Sequence, residues 1–433
     1  MAETTLIIIG GGPGGIEAAR TATQAGAKVT LIADGAIGGR AGWHSLLPSK
    51  VWLGGVEGHG RGIDTQRVLT RLHETRDAWS VQQERMLREL GVSLIRGTVA
   101  FSGERAVVVA NGDDTRTLTA DRFIVATGSV PVFPEQLKPD GRRVIAPRLM
   151  SSLNTLPRSI VVIGAGATGC EFAHLFSALG LEVDWVVDTY GILPTYHPVA
   201  GERLGEVLAA RGVRIHRDLT AVAIERGDSQ VVVMLSDGTE LTAEMAFSAI
   251  GRRPDLDRLG LKHAGLGAGE VPPAVDGYGQ TVNPAIYMVG DAAGAPMVVN
   301  KAMTQARIAA RHALGEPTPP YDPHLLVWAT YTAPEIAQVG EVSGDSLAEV
   351  ELAYAEALKP WLRPSREGVV RLFYDEATRR LLGGLAIGDH AADVLAPVLV
   401  ARRFGATIDE MAYLYAAHPT FGELAFAAAR LAG

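Results

Sequence analysis

The sequence predicts an α/β protein in three parts: a strand–glycine turn–helix–strand unit, a second copy of it, and a separate α+β unit at the C-terminal end. Three observations carry the prediction. A glycine-rich turn follows a short apolar strand near the N-terminus. The same arrangement returns from Ser159 onward, and a proline-rich stretch, Pro317 to Pro323, precedes a last region of alternating strands and helices.

Taken in order, Thr5 to Ile9 is an apolar strand, and Gly10-Gly11-Gly12-Pro13-Gly14-Gly15 follows at once. A helical pattern runs from Ile16 to Ala25, Gly26 closes it, and a second strand covers Lys28 to Ile32. Strand, glycine turn, helix and strand in that order make the βαβ dinucleotide-binding unit. The order recurs as a strand from Ser159 to Ile163, then Gly164-Ala165-Gly166-Ala167-Thr168-Gly169, a helix to Leu179, Gly180 and a strand from Val183 to Val187. Gly10, Gly12, Gly15 and Gly26 map onto Gly164, Gly166, Gly169 and Gly180 without a gap, and Asp34 maps onto Asp188. One such motif is weak evidence; two with the same internal spacing are strong.

The spacing has a steric basis. The first glycine permits the tight turn, the second lets backbone approach a pyrophosphate, and the third packs helix on strand. The helix N-terminus then offers unpaired N–H groups and a partial positive charge to phosphate. An acid at the end of the second strand normally binds a ribose hydroxyl.

Between the repeats, Gln66 to Leu90 reads as a long charged helix, and strand-rich sequence follows up to Phe123 to Gly128. Beyond the second repeat, Val231 to Thr242 reads as a hairpin around Asp237-Gly238. Gly251-Arg252-Arg253-Pro254 follows another strand. Ile286 to Val289 with Gly290-Asp291 is a further strand and turn, leading into a helix from Asn300 to Leu314.

Composition narrows the classes. A chain of 433 residues, 47% apolar and 20% charged, is expected to form a soluble globular protein of about two to four domains. A net charge of −8 leaves no basic footprint for nucleic acid. Apolar runs such as Leu6 to Ile9 and Leu395 to Ala401 are too short to span a bilayer. The N-terminus shows no basic region and no cleavage site, so a cytoplasmic location is expected. Cys170 is the one cysteine, which excludes an intramolecular disulfide and any multi-cysteine metal site; no metal is expected.

These residues resemble the pyridine nucleotide-disulfide oxidoreductases, the family of dihydrolipoamide dehydrogenase, mercuric reductase, glutathione reductase and the soluble transhydrogenases. The resemblance covers essentially the whole chain. It rests on Gly10 to Gly15, Gly38-Gly39, Pro48-Ser49-Lys50, Ala126-Thr127-Gly128, Gly164 to Glu171, Gly251 to Pro254, Gly290-Asp291, and His418-Pro419-Thr420 with Glu423. It implies two Rossmann-like domains, one for FAD and one for NAD(P)H, and a C-terminal α+β dimerisation domain. The implied divisions are 1–152 for FAD, 153–275 for the nicotinamide dinucleotide, 276–318 returning to the FAD domain, and 319–433 for the homodimer interface. Cofactor contacts are expected from Gly10, Gly12, Gly14, Gly15, Asp34, Gly39, Arg40, Lys50, Ala126, Thr127, Gly128, Gly164, Gly166, Gly169, Asp188, Gly251, Gly290, Asp291 and Met297. In the family, Asp291 binds the ribityl or phosphate portion of the flavin. Lys50 lies near flavin N5 and pairs with the acid matching Glu171, so that a cation favours the reduced, anionic flavin. His418 and Glu423 enter the partner subunit's active site; a plain structural hydrogen bond is the alternative.

The departure from the family is large. Typical members read Gly-Gly-Thr-Cys, four residues, Cys, then Ile-Pro-Ser-Lys. Here Arg40-Ala41 and Leu46-Leu47 stand instead, so both cysteine positions carry inert side chains. Dithiol–disulfide exchange needs a thiolate, and neither half of that chemistry is present. Cys170, at the start of the second repeat helix, reads as a small packed residue. The family's ribose-binding acids fall at Ala33 and Val187; Asp34 and Asp188 each come one residue later. Asp188, with no arginine in Thr189-Tyr190-Gly191, argues for NAD over NADP. Arg40 replaces a threonine and could touch phosphate. Trp43 and His44 either build an acceptor pocket, one stacking a ring and the other donating a proton, or fill volume on the outer helix face.

Three functions follow. The first is an FAD-dependent NAD(P)H oxidoreductase passing electrons to a small non-disulfide acceptor such as a quinone. The second is a soluble transhydrogenase between NAD and NADP. The third is a non-catalytic flavin-holding interaction or sensor protein.

Overall fold

The computed structural model describes residues 4–433 except 57–62, 152, 154, 268–270 and 345. The expected domain boundary at 152 therefore lies outside the described residues.

Thr5–Ile9 is the middle of a five-stranded parallel sheet, flanked by Lys28–Ala33 and Ser93–Arg96 on one side and by Arg122–Val125 and Ile286–Met288 on the other. Strands covered on both faces can be apolar throughout, and Leu6, Ile7, Ile8 and Ile9 are all buried. The helix Pro13–Gln24 packs on the helix Val299–Ala313 through Ala18, Ala19, Ala22, Ala306, Ala309 and Ala310. Small side chains let the two helices approach closely, and the later helix thereby returns to the first unit.

The second sheet repeats the plan. Ser159–Ile163 is flanked by Glu182–Val186 and Arg214–His216 on one side and by Met245–Ser248 and Val144–Ile145 on the other, all parallel. Thr5 pairs with Lys28 and Ser159 with Glu182, so the register is the same in both units. Each unit also carries a three-stranded antiparallel sheet, over 98–119 and 221–243. The reading of Val231 to Thr242 as a hairpin holds, with Ala221–Arg226 added as its third strand. The long charged helix is Thr65–Glu89, capped by the Asp64 carboxylate, which accepts the N–H groups of Gln66 and Arg67.

Near the expected edges of the second unit at 153 and 275, segments pair with both sheets. Val144–Ile145 adds a strand to the second sheet, because both side chains are apolar and that edge is otherwise unpaired. Arg252–Pro254 pairs with Ser129–Pro131, and Leu256, Leu259, Leu261 and Leu266 join the core of the first unit. Chain from Arg252 onward thus pairs and packs with the first unit. The last unit is an antiparallel sheet in the order 327–330, 336–340, 381–388, 368–375, 347–353, covered by helices from 391 to 429. No helix among the described residues is long and apolar enough to cross a membrane.

Candidate active site

A cleft of about 990 Å3 opens over the first glycine turn and extends toward the second unit and the C-terminal sheet. Gly10, Gly12, Gly14, Asp34, Gly39, Arg40, Lys50, Ala126, Thr127, Gly128, Glu171, Gly290, Asp291 and Met297 all line it. The turn geometry is required by close backbone approach. Gly10 has φ +118°, and a side chain there would strike the Ala126 carbonyl; Gly39, at φ +57°, would bring a Cβ to 2.7 Å from Gly12 Cα. Gly15 lies beneath the turn against the Gly10 carbonyl, where it packs helix on strand and does not reach the cleft.

Two polar groupings stand out. In one, the Asp291 carboxylate accepts from Ser129 Oγ at 2.5 Å, and Arg252 donates to Ser129 Oγ and O at 2.8 and 2.9 Å. Burial holds the Arg252 guanidinium below its ordinary range, offset by the Asp291 charge. Lys301 is 3% exposed and donates to the carbonyls of Gly290 and Gly294 at 3.3 and 2.6 Å, which pins the turn carrying Asp291. In the other grouping, Lys50 Nζ donates to both oxygens of Glu171 at 2.7 Å. The helix Leu46–Val56 packs on Ala167–Ala178, and that contact brings residues 50 and 171 together.

The segment that carries two cysteines in typical members of the resembled family forms one wall. Ala41 and Leu46 both face the cleft, as do Trp43 and His44. Trp43 is held by Nε1–H donation to the Ile37 carbonyl at 3.0 Å and by the Arg76 guanidinium 4.3 Å from its ring centre. Burial, then Arg148, Arg40 and Arg76, push the His44 imidazole below the ordinary histidine range, so it is neutral near pH 7. Arg40 spends its guanidinium on Asp255 and on the Thr127 carbonyl, so its charge at the cleft is already partnered. Cys170 is fully buried, donates to the Ala165 carbonyl at 3.3 Å, and burial raises its thiol far above the usual range.

The family enters on this geometry. The family model for pyridine nucleotide-disulphide oxidoreductases matches residues 4–306, and that for their dimerisation domain matches 327–429. The chain belongs to this family. A curated relative from Mycobacterium tuberculosis, an NAD(P)H dehydrogenase (quinone), is 30% identical over 99% of this chain and 94% of its own. Dihydrolipoyl dehydrogenase 2 of Haloarcula marismortui is also 30% identical, over 99% and 96% of the two chains. The solved structure of LpdA from Mycobacterium tuberculosis superposes with a TM-score of 0.93 at 29% identity, covering 99% of each chain. A flavoprotein disulfide reductase of Escherichia coli shares the fold, with a TM-score of 0.89 at 22% identity.

As a member of the family, the chain is an FAD-dependent oxidoreductase that uses NAD(P)H. The match to the dimerisation domain supports a homodimer. The residues present fit the flavin cofactor. Thr127 Oγ1 is buried without a partner among the described residues, at the cleft wall. The helix Pro13–Gln24 begins at Gly12 with no side-chain cap, which leaves its first N–H groups for an anion.

Other expected residues lie elsewhere. Gly164, Gly166, Gly169, Asp188 and Gly251 are outside the cleft, on the second unit; only Ala167, Thr168, Glu171 and Phe172 reach in from its helix. Asp34 lines the cleft, with its carboxylate 3.2 Å from Arg258, and Asp188 accepts the Tyr190 N–H at 3.0 Å. His418 Nδ1 lies 2.9 Å from Glu423 Oε2, away from this chain's own cleft. Sequence reasoning missed Ser129, Asp255, Lys301 and Tyr331. A lysine in the first turn of the expected helix from Asn300, Lys301, was the one available signal; the other three depend on contacts far apart in the chain.

Proposed function

We propose that this enzyme passes electrons from NADH through bound FAD to a small non-disulfide acceptor such as a quinone. The observation that carries the reading is the cleft wall itself: Ala41 and Leu46 stand where thiols would have to act, and the one cysteine is buried elsewhere. Bound FAD supplies two-electron transfer between a nicotinamide and an acceptor. A quinone takes two electrons and two protons to become a hydroquinone, so it needs a planar surface and proton donors, not a thiol. Trp43, immobilised by Arg76 and Ile37, offers the surface; His44, held neutral, relays a proton from solvent by taking one at one ring nitrogen and giving one from the other, and His418 with Glu423 from the partner subunit offers a second route. Lys50, oriented by Glu171, stabilises negative charge developing on the flavin.

Preference for NADH rests on Asp188, which repels a 2′-phosphate. Arg217, which follows the adjoining strand, lays its guanidinium over Gly205.

Stopped-flow mixing with NADH and then menadione tests the reading. Bleaching of the flavin by NADH and its return with menadione are expected, with NADPH less effective. A flavin that stays oxidised at millimolar NADH, or one that NADH reduces and no quinone reoxidises, sinks it.

A further inference from the structure

Tyr331 follows the strand Val327–Thr330 of the C-terminal unit and touches the Lys50–Glu171 pair at both ends. Its backbone N–H donates to Glu171 Oε1 at 3.1 Å, and its ring centre lies 4.5 Å from Lys50 Nζ. We propose that Tyr331 is a positioning residue, through which the C-terminal unit fixes the direction of the Lys50 ammonium in the cleft. The proposal deepens the reading above and rests on the role given there to Lys50.

The accounting around Lys50 supports it. The ammonium has two oxygens of Glu171 at 2.7 Å, Ser49 Oγ at a marginal 3.5 Å, and the Tyr331 ring. The lysine side chain is 29% exposed, so without the ring one flank of the ammonium faces open cleft. A flexible four-carbon stem holding a strongly hydrated charge would then swing toward water. Glu171 is better held, since its carboxylate accepts three hydrogen bonds, two from Lys50 and one from the Tyr331 N–H, and is 10% exposed. The weak point of the pair is the lysine, and the ring covers it.

Tyr331 is built for a fixed position rather than for core packing. Thr330 and Thr332 on either side are buried, and their hydroxyls are tied to Tyr196 Oη at 3.0 Å and to the Pro334 carbonyl at 2.5 Å. Alternation along the chain turns the intervening side chain the other way, into the cleft, where Tyr331 is 41% exposed. Burial, Glu171, Glu335 and Asp393 all raise the phenol, so it stays neutral and leaves the Lys50–Glu171 charge balance alone. Its hydroxyl carries no hydrogen bond among the described residues, and its ring and N–H both serve the pair. Ala167 and Thr168 line the same cleft and share their helix with Glu171, so the positioned ammonium stands where the nicotinamide-binding unit meets the flavin-binding one.

The test compares Tyr331→Phe, Tyr331→Leu, Tyr331→Ala and Lys50→Met in the FAD-loaded dimer. The readouts are the flavin reduction potential and the rate of reduction by NADH. Removing the ring is expected to slow reduction roughly two- to thirtyfold, the range of one ring–cation contact, and to lower the potential in the direction Lys50→Met lowers it. Tyr331→Phe keeps the ring and is expected to match wild type in both. Leu and Ala variants that retain flavin and match wild type, beside a shifted Lys50→Met, overturn the proposal alone. A Phe variant as impaired as Leu also overturns it, because the hydroxyl would then be the active part. An unshifted Lys50→Met sinks the role of Lys50 and the proposal with it.

Discussion

Glu17 and Glu171 occupy the same place in the two repeat helices, and both are buried, yet their partners differ. Glu17 takes Arg20 from its own helix at 2.7 Å and Arg307 from the returning helix at 3.3 Å. Glu171 takes Lys50 at 2.7 Å across the boundary between units. The first glutamate ties a fold together; the second orients a charge in a cleft. The glycines diverge in the same way. A Cβ on Gly12 would face Gly39, and one on Gly14 or Gly290 would meet Ala302, so later chain closes over the first turn. Nothing lies within 4 Å of a Cβ on Gly166. A covered turn suits a resident cofactor, and an open one suits a coenzyme that must come and go.

The largest expected effect comes from reopening that difference. Gly39→Val places a branched side chain at positive φ against Gly12 and is expected to yield protein without flavin, read from the visible spectrum after purification. Gly166→Ala adds a methyl into free space at φ −68° and is expected to keep full flavin, with the KM for NADH raised only a few-fold. Similar flavin loss in both would erase the contrast between covered and open turns.

Next in size is the exchange of the two glutamates. Glu171→Gln is expected to slow flavin reduction about 10- to 100-fold, since Lys50 loses its charged partner near the site of electron transfer. Glu17→Gln is expected to leave that rate unchanged and to cost about 1–3 kcal/mol in urea unfolding, as two arginines lose one shared carboxylate. A rate defect in Glu17→Gln would show that the helices are not divided in this way.

The smallest effect separates the repeats by pH. His174 stands where the first repeat has Arg20, and burial, with Arg211 beside it, lowers its imidazole to about 4. The unfolded chain binds a proton near 6.5 that the folded chain refuses. This site therefore contributes no loss above about pH 6.5, and stability falls as pH drops from there toward 4, by about 2 kcal/mol at pH 5. Urea midpoints at about pH 7 and 5 should converge in His174→Gln by roughly that amount. An unchanged slope would remove His174 from the acid response.

Much was legible in the chain because it depends on local steric rules. The equal spacing of Gly10 to Gly26 and Gly164 to Gly180 returns as two units of the same strand register, Ala41 and Leu46 line the cleft, and Lys50 meets Glu171. Less was legible where partners lie far apart. Arg40 read as a residue that could touch phosphate, and nothing local in the sequence marked its partner Asp255, from the returning segment. That segment itself read as starting near 276, because leucines at 256, 259 and 261 carry no mark of which core they join.

By itself, then, the sequence determined that this is a two-turn dinucleotide fold with a family flavin site and no thiol pair. Glycine spacing and residue identity are local, and no packing can add a missing sulfur. Only the tertiary structure decided that the first turn is covered and the second open, that Glu17 is tied to Arg20 and Arg307 within the first unit, and that Tyr331 closes over Lys50. Those outcomes depend on which distant helix or strand packs against each repeat, and equal repeats carry equal local signals.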